Sequence, residues 1–280
     1  MINKVLYLGP AGSYSEIAKE KFKLYFVDSC EFIAVDSIYK IIRIIKESGS
    51  CSIAAVIPIE NSIEGIVRDT QDNLMSLAEN GFRVQAETDL EIKHSLISYG
   101  KKSQIKTITS HPQALAQCRE YIYKNWKDEI TLLPVLSTSG AVSSLSLMDP
   151  TVAAIGNELC ANLYSVPILE NQINDEKNNT TRFILLSKDN PVKSNQNKVS
   201  ITFSTENKAG ALNKVLSILE KYDLNMSYID SRPSRRELGE YVFYVDFAGH
   251  IEDSNVALAL TEIQSNIKMF EILSKGANCV

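Results

Sequence analysis

Little in this sequence could bind a metal or cross-link the chain. Its five cysteines (Cys30, Cys51, Cys118, Cys160 and Cys279) are odd in number and scattered, with no Cys-x-x-Cys pair. That excludes a disulfide framework or a zinc knuckle and fits reduced thiols in a cytosolic protein. Three histidines, His94, His111 and His250, stand too far apart for a metal-ligating set. Basic residues are outnumbered, 29 against 34, giving a net charge of −5. Lys and Arg are also spread rather than blocked, which excludes the dominant basic face of a nucleic-acid binder. No apolar run approaches the ~18 residues of a membrane span. The opening Met1–Pro10 has too short an apolar stretch for a signal peptide. Twelve glycines and eight prolines exclude collagen-like and Pro/Gly-rich disordered chains. The expectation is a soluble, acidic, cytoplasmic protein with no metal or other cofactor, and no nucleic-acid or membrane partner.

What is present is enough apolar sequence for two domains: 280 residues, 44% hydrophobic, at about 150 residues per domain. The sharpest break is the polar run Ser187–Lys198, which holds Pro191 and no hydrophobic period. It sets a first part over 1–186, a linker over 187–197 and a last part over 198–280. In the first part, apolar runs at Val5–Leu8, Ile53–Ile59, Thr107–Thr109 and Val152–Ile155 read as strands. Helical patterns at Glu16–Phe22, Val67–Leu77, Gln113–Tyr123 and Gly140–Leu147 lie between them. This alternation predicts an α/β protein with largely parallel sheets. Its length suits two lobes around a cleft, about 1–80 with 168–186 and about 81–167. In the last part, Val199, Ile201 and Phe203 alternate with polar residues as in a half-buried strand. Leu212, Val215, Leu216 and Leu219 then follow a helical spacing. Strands at Asn225–Asp230, Tyr241–Phe247 and Phe270–Leu273, with a helix through Val256, Leu260, Ile263 and Ile267, complete a ferredoxin-like βαββαβ order.

Ligands of open α/β sheets bind beyond the carboxyl ends of strands, beside helix N-termini that favour anions. Five junctions of this kind stand out. Gly9-Pro10-Ala11-Gly12-Ser13-Tyr14-Ser15-Glu16 offers glycines and the hydroxyls of Ser13 and Ser15, with Ser15 as a plain helix cap the alternative. It is not a dinucleotide-binding glycine loop. Pro58-Ile59-Glu60-Asn61-Ser62-Ile63-Glu64-Gly65 places an acid, an amide and a hydroxyl at one strand end; a cap-and-turn role is the alternative for Asn61 and Ser62, but not for Glu60 beside a buried strand. In Ser110-His111-Pro112-Gln113, Pro112 suits the first helical position after a Ser110 or His111 cap, and His111 reads either as that cap or as a general base. Gln113 and Gln117 share one helical face. Ser137-Thr138-Ser139-Gly140 says little beyond capping. Asn178-Asn179-Thr180-Thr181-Arg182-Phe183 brings amides, hydroxyls and a guanidinium into a buried strand, a set suited to holding a carboxylate near a proton donor, with a polar loop and an Arg salt bridge to the first lobe the alternative.

Together these segments resemble the signature segments of prephenate dehydratases. The tail resembles the regulatory ACT domain of that family, through Gly210-Ala211-Leu212 and Asp230-Ser231-Arg232-Pro233. The resemblance covers nearly the whole chain in order. It implies two lobes like those of type II periplasmic binding proteins, with prephenate as substrate in the cleft and a cofactor-free loss of water and carbon dioxide to give phenylpyruvate in phenylalanine synthesis. It places the catalytic threonine at Thr181 and the family's Glu-Asn pair at Glu60 and Asn61, with Gln117 as a further catalytic residue. Ser13, Ser62, Ser110, Asn179 and Arg182 become substrate-binding candidates. It also implies an L-phenylalanine site over Ala209, Gly210, Ala211, Leu212, Asn225, Asp230, Ser231, Arg232 and Pro233, and a homodimer or homotetramer built through the ACT domains. The chain departs from the family pattern at Ile66-Val67-Arg68, at Leu136 and at Asp230, which shortens the usual glutamate by one methylene. The other readings are an arogenate dehydratase, a prephenate decarboxylase that keeps the hydroxyl, against which the ACT-like tail counts, and a non-catalytic amino-acid-sensing protein.

Overall fold

The computed structural model describes residues 2–188, 198–234, 239–275 and 278–279. Among these residues three sheets form. The first runs in the order Asn278–Cys279, Arg83–Glu91, Thr180–Ser187, Ile53–Asn61, Ile2–Leu8, Phe26–Val35. Ile2–Leu8 pairs in parallel with both neighbours, whereas Thr180–Ser187 lies antiparallel between Ile53–Asn61 and Arg83–Glu91. The second sheet has the order Ile168–Glu170, Ser95–Ile97, Val152–Gly156, Thr107–Ser110, Thr131–Pro134. These are two α/β lobes with mixed sheets. No helix among the described residues is long and apolar enough to cross a membrane.

The lobes exchange chain at other points than expected. Arg83–Glu91 belongs to the first sheet, so the first crossing falls at residues 92–94 rather than near 81. Ile168–Glu170 still pairs with Ser95–Ile97 in the second sheet, so the return comes after 170. The two crossing segments are bonded to each other. Ile92 N–H donates to Asn179 O at 2.7 Å, Ile173 N–H to His94 O at 2.9 Å and His94 N–H to Asn174 Oδ1 at 2.6 Å. Two further elements, Phe26–Val35 and the helix Ile38–Ser48, extend the first lobe. Ile38, Ile41, Ile42 and Ile45 bury one helical face there, each contributing about 1.5–3 kcal/mol of apolar burial.

The last part has the order strand Lys198–Ser204, helix Ala211–Lys221, strands Met226–Pro233 and Tyr241–Ala248, helix Ser254–Gln264, strand Met269–Lys275. Its antiparallel sheet runs Met226–Pro233, Tyr241–Ala248, Lys198–Ser204, Met269–Lys275. Val199, Ile201 and Phe203 face the two helices as the alternation predicts. The strand is nevertheless not half-buried, since Ser200, Thr202 and Ser204 are buried too. The reason is a second packing surface: Val242, Tyr244 and Leu273 join the core of the first lobe. Gln71 Nε2 donates to Asp230 at 2.8 Å, Arg232 pairs with Asp72 at 2.8 Å and Lys198 with Glu87 at 2.6 Å across the same junction. Two expected boundaries shift. Ser187 closes a strand instead of opening the linker, and Asn278–Cys279 pairs with Arg83–Glu91 of the first sheet. Residues 189–197 of the expected linker lie outside the described residues.

Candidate active site

A cavity of about 530 Å³ opens between the two lobes. Four helix-capping residues line it: Ser13, Ser37, His111 and Ser137. Each caps with its own side chain, Ser13 accepting from Glu16 N–H, Ser37 from Lys40 N–H, His111 through Nδ1 from Gln113 N–H and Ser137 from Gly140 N–H. Helix N-termini carry a partial positive charge, so their convergence favours an anion. No Lys or Arg lines the cavity among the described residues, whereas two carboxylates do, Asp69 and Asp36, the latter paired with Lys40. Pro58, Ile92 and Phe183 give the walls an apolar character.

The back of the cleft is closed by the loop after the first strand. Gly12 has φ +81°, and a Cβ there would meet Cys160 Sγ at 2.9 Å and Ser139 Oγ at 3.0 Å. Only glycine accepts both the left-handed conformation and that approach. Its carbonyl accepts from Asn157 Nδ2 at 2.8 Å, tying the lobes together.

At the floor lies a chain of amides. Thr181 is opposite Asn61 in the strand pairing. Asn61 Oδ1 accepts from the backbone N–H groups of Ile63 and Glu64, both at 3.0 Å, which fixes the orientation of its amide. Its Nδ2 therefore donates to Thr181 Oγ1 and to Asn179 Oδ1, each at 2.8 Å. Asn179 Nδ2 donates to Gln117 Oε1 at 2.8 Å, and His94 Nε2 lies 3.1 Å from the same oxygen. Thr181, Asn61 and Gln117, placed together from sequence, converge here with Asn179, and Ser13 joins them on the cavity wall. Because Thr181 Oγ1 accepts from Asn61, its own proton is free to be donated into the cleft.

Five other candidates do not line this cavity, and one of them, Asn179, is fully buried behind it in its bonds to Asn61 and Gln117. Arg182 points to the opposite face of its strand, as residue i+1 must. It pairs there with Asp89 at 2.9 Å and Glu60 at 3.6 Å. Glu60 shares that face because the pairing shifts between Arg182 and Phe183, where Arg182 meets Glu60 but Phe183 meets Pro58. This bulge breaks the strict alternation, so Pro58 and Asn61 line the cleft while Ile59 and Glu60 turn toward the last part of the chain. Ser62 donates to Asn178 O and accepts from Thr180 N–H, both at 2.9 Å, and so holds the loop that enters the Thr181 strand. Ser110 is fully buried and donates to Ile155 O at 2.6 Å within the second sheet. Glu60→Gln should accordingly leave turnover within about three-fold of the native protein, since a half-exposed pair contributes about 0–1 kcal/mol. A steady-state assay across pH checks this, and a lost pH limb would return Glu60 to the reaction.

Smaller differences have local causes. Ser13, not Ser15, caps the first helix, and Ser15 is buried inside it. The expected helix Gln113–Tyr123 splits into Pro112–Ala116 and Arg119–Trp126. Asp175, from the returning crossing, accepts from Glu120 and Tyr121 N–H and starts the second piece, leaving Gln117 at the break. His94 and Ser37 were not marked by any motif in the sequence. In the last part, Gly210 adopts φ +80° and directly precedes the helix Ala211–Lys221. Asp230 and Arg232 instead engage Gln71 and Asp72 of the first lobe.

The architecture defines a two-lobed α/β protein with a cleft between the lobes and a further C-terminal domain packed on the first lobe. Residues 5–191 match the family model for prephenate dehydratase and residues 199–264 that for the ACT domain. The chain is 41% identical over 256 residues to a prephenate dehydratase of Methanocaldococcus jannaschii, covering 90% of each chain. It is 37% identical over 270 residues to one of Lactococcus lactis, covering 93% of this chain and 92% of the other. A crystal structure of prephenate dehydratase from Arthrobacter aurescens in complex with L-Phe superposes with a TM-score of 0.85 at 29% identity, over 98% of this chain and 90% of that one. The chain belongs to the prephenate dehydratase family and carries an ACT domain.

Proposed function

We propose that this protein converts prephenate to phenylpyruvate, with loss of water and carbon dioxide, in L-phenylalanine biosynthesis. The observation that carries the proposal is the bond from Asn61 Nδ2 to Thr181 Oγ1 at 2.8 Å. It leaves the threonine O–H as a donor at the floor of a cleft suited to an anion. Prephenate carries two carboxylates and a ring hydroxyl. The C–O bond breaks with its electron pair going to the departing oxygen, which takes up a proton as water. The C–C bond to the ring carboxylate breaks with its electrons entering the ring, which becomes aromatic as carbon dioxide leaves. The product's aromaticity supplies the driving force, so the protein needs only to align the substrate and assist a poor leaving group. Thr181 donates the hydrogen bond to that oxygen, a role worth typically 10²–10⁴-fold. Gln117 and Asn179 support the alignment, and the capped helices receive a carboxylate. The apolar walls disfavour the charge of the carboxylate that departs.

The two lobes follow the type II periplasmic-binding-protein plan and the last part is ferredoxin-like. On this reading residues 1–186 are catalytic and 198–280 regulatory, and the protein is cytoplasmic. The C-terminal domains pair copies of the chain into a homodimer or homotetramer. L-Phenylalanine is the feedback effector, bound with its carboxylate at the helix start after Gly210, with Ala209, Ala211, Leu212 and Asn225 around it. Asp230, Ser231, Arg232 and Pro233 come from the neighbouring copy.

Purified protein given prephenate should produce phenylpyruvate absorbance at a higher kcat/KM than it acts on arogenate. Absence of product from either substrate would favour a sensing protein. L-Phenylalanine should bind in calorimetry and weaken prephenate binding by a coupling of about 1–3 kcal/mol. Gly210→Val should abolish that binding, because valine does not tolerate the positive φ. An intact chain that neither binds phenylalanine nor slows in its presence would rule out feedback.

A further inference from the structure

We infer that His94 is a positioning residue of this site, held as the neutral Nε2–H tautomer, whose donated hydrogen bond turns the Gln117 amide so that its N–H₂ stays free for a substrate oxygen. The inference rests on the proposed reaction, but its starting point is backbone geometry. Backbone N–H groups can only donate, so Ile63 and Glu64 fix Asn61 with its oxygen toward them and its nitrogen toward Asn179. Asn179 must then present oxygen to Asn61 and nitrogen to Gln117. Gln117 must present oxygen to Asn179, and His94 Nε2 meets that same oxygen. An acceptor nitrogen there would face an acceptor oxygen, so Nε2 carries the proton. Reversing any one amide sets donor against donor at the next, back to two N–H groups that cannot turn.

The direction of this chain leaves two groups over. Gln117 Nε2 and His94 Nδ1 are buried without a partner among the described residues, on two residues that line the cleft. A buried unpaired polar group costs about 1–3 kcal/mol. An unpaired donor beside a cleft is available to pair with a bound ligand. The location fits this role. Gln117 belongs to the second lobe, Asn61 and Thr181 to the first, and His94 and Asn179 to the two crossing segments. One polarity thus runs through both lobes, and the Gln117 donor is set by the same bonds that free the Thr181 proton. Burial also pushes the imidazole below its ordinary pKa, against the upward pull of the Gln117 bond, so the neutral form persists at neutral pH. The Tyr14 ring packs edge-on against it, with ring centroids 6.3 Å apart.

Nitrogen NMR of protein labelled at histidine, with His94→Gln to identify the His94 signal among three histidines, should show Nε2 protonated and Nδ1 unprotonated. An Nδ1–H tautomer overturns the inference, whatever the enzyme turns over. The kinetic arm compares His94→Gln, whose amide nitrogen can replace Nε2 as donor, with His94→Leu, which has none. The leucine variant should lose about 10–100-fold in kcat/KM, the size of one hydrogen bond to a charged group. The glutamine variant should recover at least ten-fold over it. Gln117→Glu, which accepts both bonds but cannot donate, should fall as far as the leucine variant. Equal losses in the two His94 variants, or an active leucine variant, overturn the inference. Failure of the native protein to consume prephenate would overturn the proposed reaction and leave the tautomer to be decided by the spectrum.

Discussion

Thr181→Val is expected to lower kcat by about 10²–10⁴-fold, the usual contribution of a positioned proton donor, while the protein remains folded. Valine matches threonine in shape and removes only the hydroxyl. Thr181 is nearly buried between Asn61 and Leu90 on neighbouring strands, where a β-branched residue packs well. The lost oxygen leaves Asn61 Nδ2 with Asn179 Oδ1 at 2.8 Å and Thr180 O at 3.3 Å, so no donor is stranded. The change in stability should stay within about 1 kcal/mol. A large loss of turnover beside an unchanged melting temperature therefore assigns the hydroxyl to the reaction. Thr181→Ser should be intermediate, because the hydroxyl returns without the methyl group that holds its rotamer. Native-like turnover in Thr181→Val would remove Thr181 from the mechanism.

Much of this site is legible in the sequence because strand-to-helix junctions announce themselves. Ser13, Asn61 and Thr181 each lie in a polar run that interrupts an apolar one, whereas Gln117 is marked only by its helical spacing from Gln113 and by the family resemblance. A cap at Ser110 or His111 follows from Pro112, and the fold selects His111. The α/β alternation and the βαββαβ order of the tail are visible because apolar periods change from 3.6 to 2 at definite places. What escapes the sequence depends on register and on distant partners. Glu60 and Asn61 are adjacent and equally polar, and only the bulge opposite Arg182 and Phe183 decides which one enters the cleft. The helix break at Gln117 is made by Asp175, more than fifty residues away. His94 carries no local signal, since its role comes from Gln117 and from the crossing of two segments that meet only in the fold. The polar face of Ser200, Thr202 and Ser204 reads as solvated until the first lobe covers it.

Asn61→Asp should be the most damaging isosteric change in the protein, and its damage should depend on pH. One carboxylate oxygen can still accept from Ile63 and Glu64 N–H, so the turn after the strand keeps its support. The other oxygen takes the place of Nδ2, where it faces Asn179 Oδ1, Thr180 O and Thr181 Oγ1. Two acceptors now oppose it, and the threonine proton turns toward the new charge instead of the leaving group. The charge also lies beside a dianionic substrate at a buried position, where like-charge repulsion is weakly screened. At pH 8 kcat/KM should fall by about 10³-fold or more, combining a lost proton donor with weakened binding. Burial and the opposing oxygens raise the pKa of such a carboxyl group. As pH falls through that raised value the group regains a proton, donates again and restores part of the activity. The native protein has no carboxyl group at this position to titrate. The variant's kcat/KM should therefore rise relative to native as the medium is acidified, the reverse of a fold that fails in acid. Melting curves at each pH separate the two effects, with about 1–3 kcal/mol of destabilisation expected where the carboxylate is charged. A variant within a few-fold of native at pH 8, with a flat ratio on acidification, would show that the Asn61 amide does not set the direction of the Thr181 proton.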